Sequence, residues 1–187
     1  MEVLVGVPND DEEMSPEQLR KVLASCLQEK QTTGIRFIET TNPEEDPYSR
    51  YTVAYEAVLE PNTLDKARIE IWLTTEGAIA IGLETKNRIA DRLGIKGGQY
   101  KIFAAGHEPT DVTKCGLLAL LNVVAEGKIA ISATCLPLLG LVKTKAVLLH
   151  DTDTFLAANG YNARWWLTAV GDFESDASST VLRFTPW

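Results

Sequence analysis

Three neighbouring stretches decide the fold: RYTVAYEAVLE at residues 50–60, ARIEIWLT at residues 67–74 and AIAIGL at residues 78–83. In the first two, apolar side chains recur at every second position, which is typical of strands that bury one face. The breaks between them are short and contain Pro61-Asn62 and Thr75-Glu76-Gly77. Short breaks favour antiparallel neighbours, so we predict an antiparallel three-stranded meander.

Along the chain, helices are predicted before and after this meander. The first helix is predicted over residues 16–30, with Ser15 as its N-cap and Gln18 as the capping-box partner. Apolar residues follow at helical spacing. Residues 111–126 are apolar on nearly every side, which predicts a buried helix at the centre of the domain. A shorter helix is predicted over residues 86–93.

The remaining apolar segments predict strands, at residues 3–7, 35–39, 99–104, 128–135, 144–149, 163–170 and 179–185. No internal repeat and no clear linker interrupts the chain. We therefore expect one α+β domain over residues 1–187, with a large, mainly antiparallel sheet on which the two principal helices pack.

The charge is acidic and uneven. The 187 residues carry 18 basic and 26 acidic side chains, a net of −8, of which residues 1–50 account for −6. This balance excludes a general nucleic-acid binder, which needs a cationic surface. The acidic runs, which are either solvated loops or a face for a basic partner, comprise Asp10, Asp11, Glu12, Glu13, Glu44, Glu45 and Asp46.

Cysteine usage and hydropathy indicate the compartment. Cys26, Cys115 and Cys135 are an odd number without close spacing, which favours a reducing environment over a disulfide framework. Cys26 lies on the apolar face of the first helix and is interpreted as a packing residue. No apolar stretch reaches the roughly 20 residues that span a bilayer. We expect a soluble cytoplasmic protein without membrane contact.

Two histidine regions are the candidates for chemistry. His150, Asp151 and Asp153 follow a predicted buried strand, where an imidazole and carboxylates can bind a divalent cation or exchange protons. The alternative is a turn in which one aspartate caps the next helix. The second region comprises His107, Asp111 and Cys115, which form either a thiol–imidazole site or a turn, a helix cap and a core residue.

Tryptophans offer a different kind of site. Trp72 lies on the polar face of its predicted strand, and one of the adjacent Trp165 and Trp166 must point away from the core. Trp72 and Trp166 are therefore candidate partner-binding residues, because an indole at an interface buries a large area. The alternative is a sheet covered on both faces, with these side chains in the core.

The leading interpretation is a non-enzymatic protein-interaction module, of the kind an inhibitor or immunity protein provides, with its acidic N-terminal face directed at a basic partner. A small metal-dependent hydrolase that uses His150, Asp151 and Asp153 is the enzyme alternative. A self-assembling structural subunit, and hence a homo-oligomer, is the third possibility. The leading interpretation needs no cofactor or metal.

Overall fold

The fold was determined from a computed structural model that describes residues 14–29, 34–41, 52–96, 100–102, 109–110, 114–149, 167–169 and 179–187. Its described strands form two sheets. The first sheet contains β1 (Ile35–Thr41), β2 (Val53–Pro61), β3 (Ile69–Thr74), β4 (Ile79–Leu83) and β6 (Pro109–Thr110), in the order β1-β2-β3-β4-β6.

The predicted meander is confirmed as β2, β3 and β4. Ile71 pairs with Ala57 on one side and with Ile81 on the other, and all three side chains are buried. The strands are joined antiparallel, and β1 extends the same sheet beyond β2. Alternation therefore predicted the buried face of β3, and the short breaks predicted the antiparallel pairing.

The second sheet is built by the C-terminal part of the chain. It contains β5 (Lys101–Ile102), β7 (Ile129–Leu136), β8 (Leu141–Leu148), β9 (Leu167–Ala169) and β10 (Ser179–Arg183). The order is β10-β7-β8-β5, and β9 also pairs with β8. β7 and β8 form an antiparallel hairpin, whereas β5 and β9 lie parallel to β8.

Three α-helices accompany the sheets in the described ranges: α1 (Pro16–Glu29), α2 (Lys86–Leu93) and α3 (Lys114–Ala125). The predicted capping box is present, since the Ser15 backbone N–H donates to Gln18 Oε1 at 2.9 Å and the Gln18 N–H donates to Ser15 Oγ at 3.2 Å. Cys26 is buried among packing residues, as its position on the apolar face predicted.

The predicted α+β class is confirmed, but the strands divide between two sheets instead of forming a single large one. The reason lies in α3, whose Leu117, Leu120, Leu121 and Val124 are all fully buried. A helix buried around most of its circumference needs more covering surface than one sheet face provides. One hydrophobic cluster accordingly contains residues of α1, α3 and both sheets.

The C-terminal residues fasten the loop before β3 to the end of α3. The Thr185 N–H donates to the Asp65 carbonyl at 2.8 Å, and the Trp187 N–H donates to the Ala125 carbonyl at 2.9 Å. The Trp187 indole N–H also donates to the Ala67 carbonyl at 2.9 Å. The last residues of the chain therefore connect elements that are far apart in sequence.

Across the described part of the chain, no helix is both long enough and apolar enough to cross a bilayer. The predicted strand at residues 3–7 lies outside the described residues, as do the ends of the predicted strands at 99–104 and 163–170.

Candidate functional site

Most of the residues predicted to carry function lie outside the described ranges. This holds for the chemical candidates His150, Asp151 and Asp153 and for the second-region residues His107 and Asp111. It also holds for Trp166 and for the acidic residues Asp10, Asp11, Glu12, Glu13, Glu44, Glu45 and Asp46. Cys115 lies in α3, but its side chain is not described.

Trp72 is the predicted partner-binding residue that the structure describes. It is half-buried on β3, directly opposite Glu56 of β2. Its indole N–H donates to Glu56 Oε1 at 3.1 Å. The indole thus shares the polar face of its strand, as predicted, and its polar edge is engaged within the sheet.

The first sheet also contains a buried carboxylate, at the end of β4. Glu84 joins β4 to α2 and is 1% exposed. Its backbone has φ +65°, a left-handed conformation that is uncommon for a residue other than glycine. Thr85 follows in an extended conformation and caps α2, because its hydroxyl accepts the Arg88 N–H at 3.3 Å.

Both carboxylate oxygens of Glu84 have donors. Oε1 accepts the backbone N–H of Arg68 at 2.7 Å, and Oε2 accepts Nε–H of Arg88 at 2.7 Å. The Glu84 N–H returns a bond of 3.1 Å to the Arg68 carbonyl. These contacts hold the end of β4 against the start of β3 and compensate for the unusual backbone conformation.

Arg88 connects Glu84 to the loop between β2 and β3. Its Nη2 donates to the carbonyl oxygens of Thr63 at 2.9 Å and Lys66 at 2.8 Å. Its Nη1 lies 3.4 Å from Glu60 Oε1, which forms a longer ion pair. The guanidinium of Arg88 therefore connects α2 to the loop and to the end of β2.

Arg68 extends this cluster along β3. Its Nε–H donates to Glu60 Oε2, and its Nη1 forms an ion pair with Glu70 Oε1. All three side chains are at most about one-fifth exposed. Together with Glu84 and Arg88 they make up a cluster that we call the buried ion network: Glu60, Arg68, Glu70, Glu84 and Arg88.

Burial changes the acidity of this network. It raises the pKa of the Glu84 carboxyl, while the hydrogen bond from Arg88 opposes the change. Burial likewise raises the pKa of Glu70 against the opposing charge of Arg68. Burial also acts to lower the pKa of Arg68, but the carboxylates of Glu70 and Glu60 outweigh it and raise that pKa.

Arg92 lies one turn beyond Arg88 on α2. Its guanidinium carbon is 4.3 Å from the centre of the Phe184 ring, a cation–π contact, and its Nη2 donates to the Arg183 carbonyl. Burial lowers the pKa of Arg92, with Glu84 opposing the change. Arg92 thus links α2 to the C-terminal strand beside the network.

A buried carboxyl with a raised pKa can act as a proton donor or acceptor when a substrate reaches it. In the buried ion network, however, the carboxylate of Glu84 and the guanidinium of Arg88 are occupied by partners from the chain itself. The arrangement joins β2, β3, β4 and α2, and this is a structural role. Among the described residues, no group of three or more His, Cys, Asp or Glu side chains is placed to hold a metal ion.

The first sheet buries charged side chains, whereas the second sheet exposes apolar side chains at its surface. Between β7 and β8 the chain makes one turn of 3₁₀ helix, Pro137–Leu139. Leu138 is 101% exposed and Leu139 is 67% exposed. We call residues 137–140 the leucine tip.

The leucine tip has a defined backbone. Gly140 ends the turn with φ +58°, and its N–H donates to the Pro137 carbonyl at 3.1 Å. The Gly140 carbonyl in turn accepts the Lys101 N–H from β5 at 2.8 Å. Below the tip, β7 and β8 pair continuously from Leu136–Leu141 to Ile129–Leu148. The two leucines therefore project from an ordered support.

The chain's residues alone did not single out Leu138 and Leu139. Pro137 and Gly140 lie in the gap between the strands predicted at residues 128–135 and 144–149. The usable signal was the pair of leucines between two turn-forming residues, because turns are normally polar.

Comparison with family models, curated proteins and solved structures finds no significant match to this chain. The functional argument therefore depends on the chain's own residues and their geometry.

Proposed function

We propose that the protein is a non-enzymatic interaction module that binds a protein partner through the leucine tip. The observation that carries the proposal is the full exposure of Leu138 beside the largely exposed Leu139. Burying one leucine side chain in a partner contributes about 1.5–3 kcal/mol. Two adjacent leucines can thus supply the apolar centre of a small interface.

The ordered support favours binding over mere exposure. A loop that must become ordered on binding loses conformational entropy, whereas a turn held by hydrogen bonds at Pro137 and Lys101 loses less. The hairpin below the tip buries Ala133 and Val142 in the core, which limits its movement. The leucines are presented in one arrangement that a partner pocket can match.

Charge supplies the second part of the proposal. The net charge of −8 is concentrated in residues 1–50, where the runs from Asp10 to Glu13 and from Glu44 to Asp46 occur. We propose that these carboxylates attract a basic partner at long range, while the leucine tip provides the short-range contact. This combination fits the inhibitor- or immunity-like module expected from the sequence.

The proposal is tested by placing a photo-cross-linking amino acid at position 138 and, in a matched protein, at position 64. Leu64 is 42% exposed and lies in the loop between β2 and β3, so it controls for nonspecific capture. We expect one partner to be cross-linked from position 138 and not from position 64 in native cell extract.

The captured partner is then purified and its affinity measured against wild type, Leu138→Ser/Leu139→Ser and Leu64→Ser. We expect at least about tenfold weaker binding for the double variant and no change for Leu64→Ser. The wild-type affinity should fall as salt is raised, because the acidic runs are screened. Equal cross-linking from both positions, or equal affinity of all three proteins, would contradict the tip's role. Affinity that ignores salt would contradict the electrostatic part alone.

A further inference from the structure

The outer edge of β1 is a second surface, separate from the leucine tip. β1 pairs with β2 through all seven of its residues, from Ile35–Pro61 to Thr41–Tyr55. In the described ranges, no strand lies on its other side. Five of its seven residues are exposed, including Ile38 at 43%.

The backbone groups at this edge are arranged for pairing. The Asn62 N–H donates to the Gly34 carbonyl at 2.8 Å, next to the first pair of the ladder. Because backbone groups in an antiparallel strand point alternately to its two sides, even-numbered residues face β2. The N–H and C=O groups of Ile35, Phe37, Glu39 and Thr41 therefore point towards the open edge.

This edge lacks proline, lysine and a bulge, which are among the features that normally prevent strand addition, although it carries the charged residues Arg36 and Glu39. Edge strands are usually protected by proline, lysine, a bulge or short length. β1 has the sequence IRFIETT and contains neither proline nor lysine. Its register with β2 continues without a shift along the whole strand. Within the described ranges, an edge of seven residues in unbroken register is a template for another strand.

We infer that the occupant is a second copy of this chain, with β1 pairing antiparallel to β1 around a two-fold axis at Ile38. Residue 38 is the middle of the strand, so this register pairs every residue of β1. Residues 35 and 37 then lie opposite residues 41 and 39 of the second copy, which are the positions whose backbone groups point outward. The register forms up to about eight inter-strand hydrogen bonds.

The side chains fit the same register. Ile38 lies opposite Ile38 of the second copy at a non-hydrogen-bonded position, where side chains are closest and apolar pairs stabilise a sheet. Arg36 lies opposite Thr40, and Phe37 lies opposite Glu39. No like charges are directly opposed. Glu39 is already neutralised by Arg20, whose Nε and Nη2 donate to it at 2.8 and 2.6 Å.

The resulting dimer is isologous, since the same strand supplies both halves of the interface. It joins the first sheets of two copies into one continuous sheet and uses no residue of the leucine tip. The inference does not rest on the proposed function, because it uses different residues and a different partner.

Two cysteine variants test the register. Ile38→Cys places thiols opposite each other at the two-fold axis, within the range of a disulfide. Thr40→Cys is the matched control, because it is exposed on the same face but lies opposite residue 36. Under mild oxidation we expect a covalent dimer, at twice the 20.5 kDa chain mass, from Ile38→Cys and not from Thr40→Cys or wild type.

Light scattering over a dilution series tests the assembly itself. We expect a dimer in wild type and at least about tenfold weaker dimerisation in Ile38→Lys, which opposes two like charges at the axis. Thermal unfolding of each variant checks that the fold is retained. Monomeric wild type at all concentrations would overturn the inference, as would equal cross-linking from positions 38 and 40 or a dimer that Ile38→Lys leaves unchanged.

Discussion

The buried ion network and the leucine tip each reverse the usual placement of side chains. In the network, Glu84 is 1% exposed although it is ionisable, and at the tip Leu138 is 101% exposed although it is apolar. The two regions differ in whether these side chains have partners within the chain. Every connection of the network that we describe ends within the chain, whereas the tip has its apolar surface in water.

This difference separates a structural feature from a binding feature. A buried charge that has partners within the chain fixes the elements that supply those partners, but it offers little to another molecule. An exposed apolar side chain gains free energy when a partner covers it. The network therefore accounts for how the first sheet joins α2, while the tip supplies the argument for function.

Removing Arg88 should produce the largest effect. Arg88→Met leaves the Glu84 carboxylate buried without its guanidinium partner and leaves the Thr63 and Lys66 carbonyls without a donor. Breaking a buried pair from one side costs about 3–5 kcal/mol. We expect the free energy of unfolding, measured with urea at pH 8, to fall by that amount. A loss below about 1 kcal/mol would show that the network is not a structural unit.

The loss should depend on pH. Since burial raises the pKa of Glu84 above its ordinary 4.5, the folded state binds this proton more tightly than the unfolded state. The stability that Glu84 contributes is therefore complete below pH 4.5 and is lost as pH rises through its folded pKa. Arg88 limits that loss, because it stabilises the carboxylate.

Without Arg88 the decline with rising pH should be steeper, so the deficit of Arg88→Met should be larger at pH 8 than at pH 5. The double variant Arg88→Met/Glu84→Gln provides the control, because it has no carboxyl at position 84 to titrate. We expect it to be more stable than Arg88→Met at pH 8 and to show less change with pH. A deficit that is the same at both pH values would contradict the assignment to Glu84.

A substitution at Gly127, just before β7, tests whether the β7–β8 hairpin is packed firmly at its base, the end away from the leucine tip. Gly127 and Gly94 both have φ +66°, but an added Cβ at Gly127 would lie 2.9 Å from backbone atoms of residues 184–186, and at Gly94 it would meet nothing within 4 Å. Gly94→Ala should cost about 1–2 kcal/mol for the left-handed backbone alone.

We expect Gly127→Ala to cost about 1–3 kcal/mol more than Gly94→Ala, because the C-terminal backbone must move. Thermal unfolding of both variants measures this difference. Equal losses would indicate that the C-terminal residues give way easily, and the base of the hairpin would then be less firmly held than the network.

The smallest effect should come from the tip. Leu138→Ser/Leu139→Ser removes two exposed side chains, so we expect its free energy of unfolding to stay within about 0.5 kcal/mol of wild type for each substitution. Urea unfolding measures this directly. A larger loss would mean that the leucines stabilise the fold, and the contrast between the two regions would disappear.

Sequence patterns predicted the local elements well where the physical signal was also local. Ser15 and Gln18 marked the start of α1. The helix predicted over residues 86–93 is α2, which has these bounds and ends at Gly94 in a left-handed cap. The alternation around Ile71 predicted the meander because a strand's two faces differ at neighbouring positions. The predicted helix at residues 111–126 is α3, which is described over Lys114–Ala125, and its C-terminal end lies one residue before the predicted one, as is common at helix ends.

The candidate site was much harder to predict. No spacing rule brings Glu84 to the Arg68 backbone N–H or Arg88 to the Thr63 carbonyl, because those contacts depend on how β4 and α2 meet the loop after β2. The residues that did suggest chemistry, His150, Asp151 and Asp153, lie outside the described part, and their role stays a prediction.

Periodicity and capping establish this protein's elements and its α+β class, because both signals come from neighbours within a few residues. Composition establishes its acidic charge. Tertiary structure decides the division into two sheets, the partners of Glu84 and the exposure of Leu138 and Ile38. Burial is a property of the whole packed chain, since a side chain is covered or left bare by elements far away in sequence.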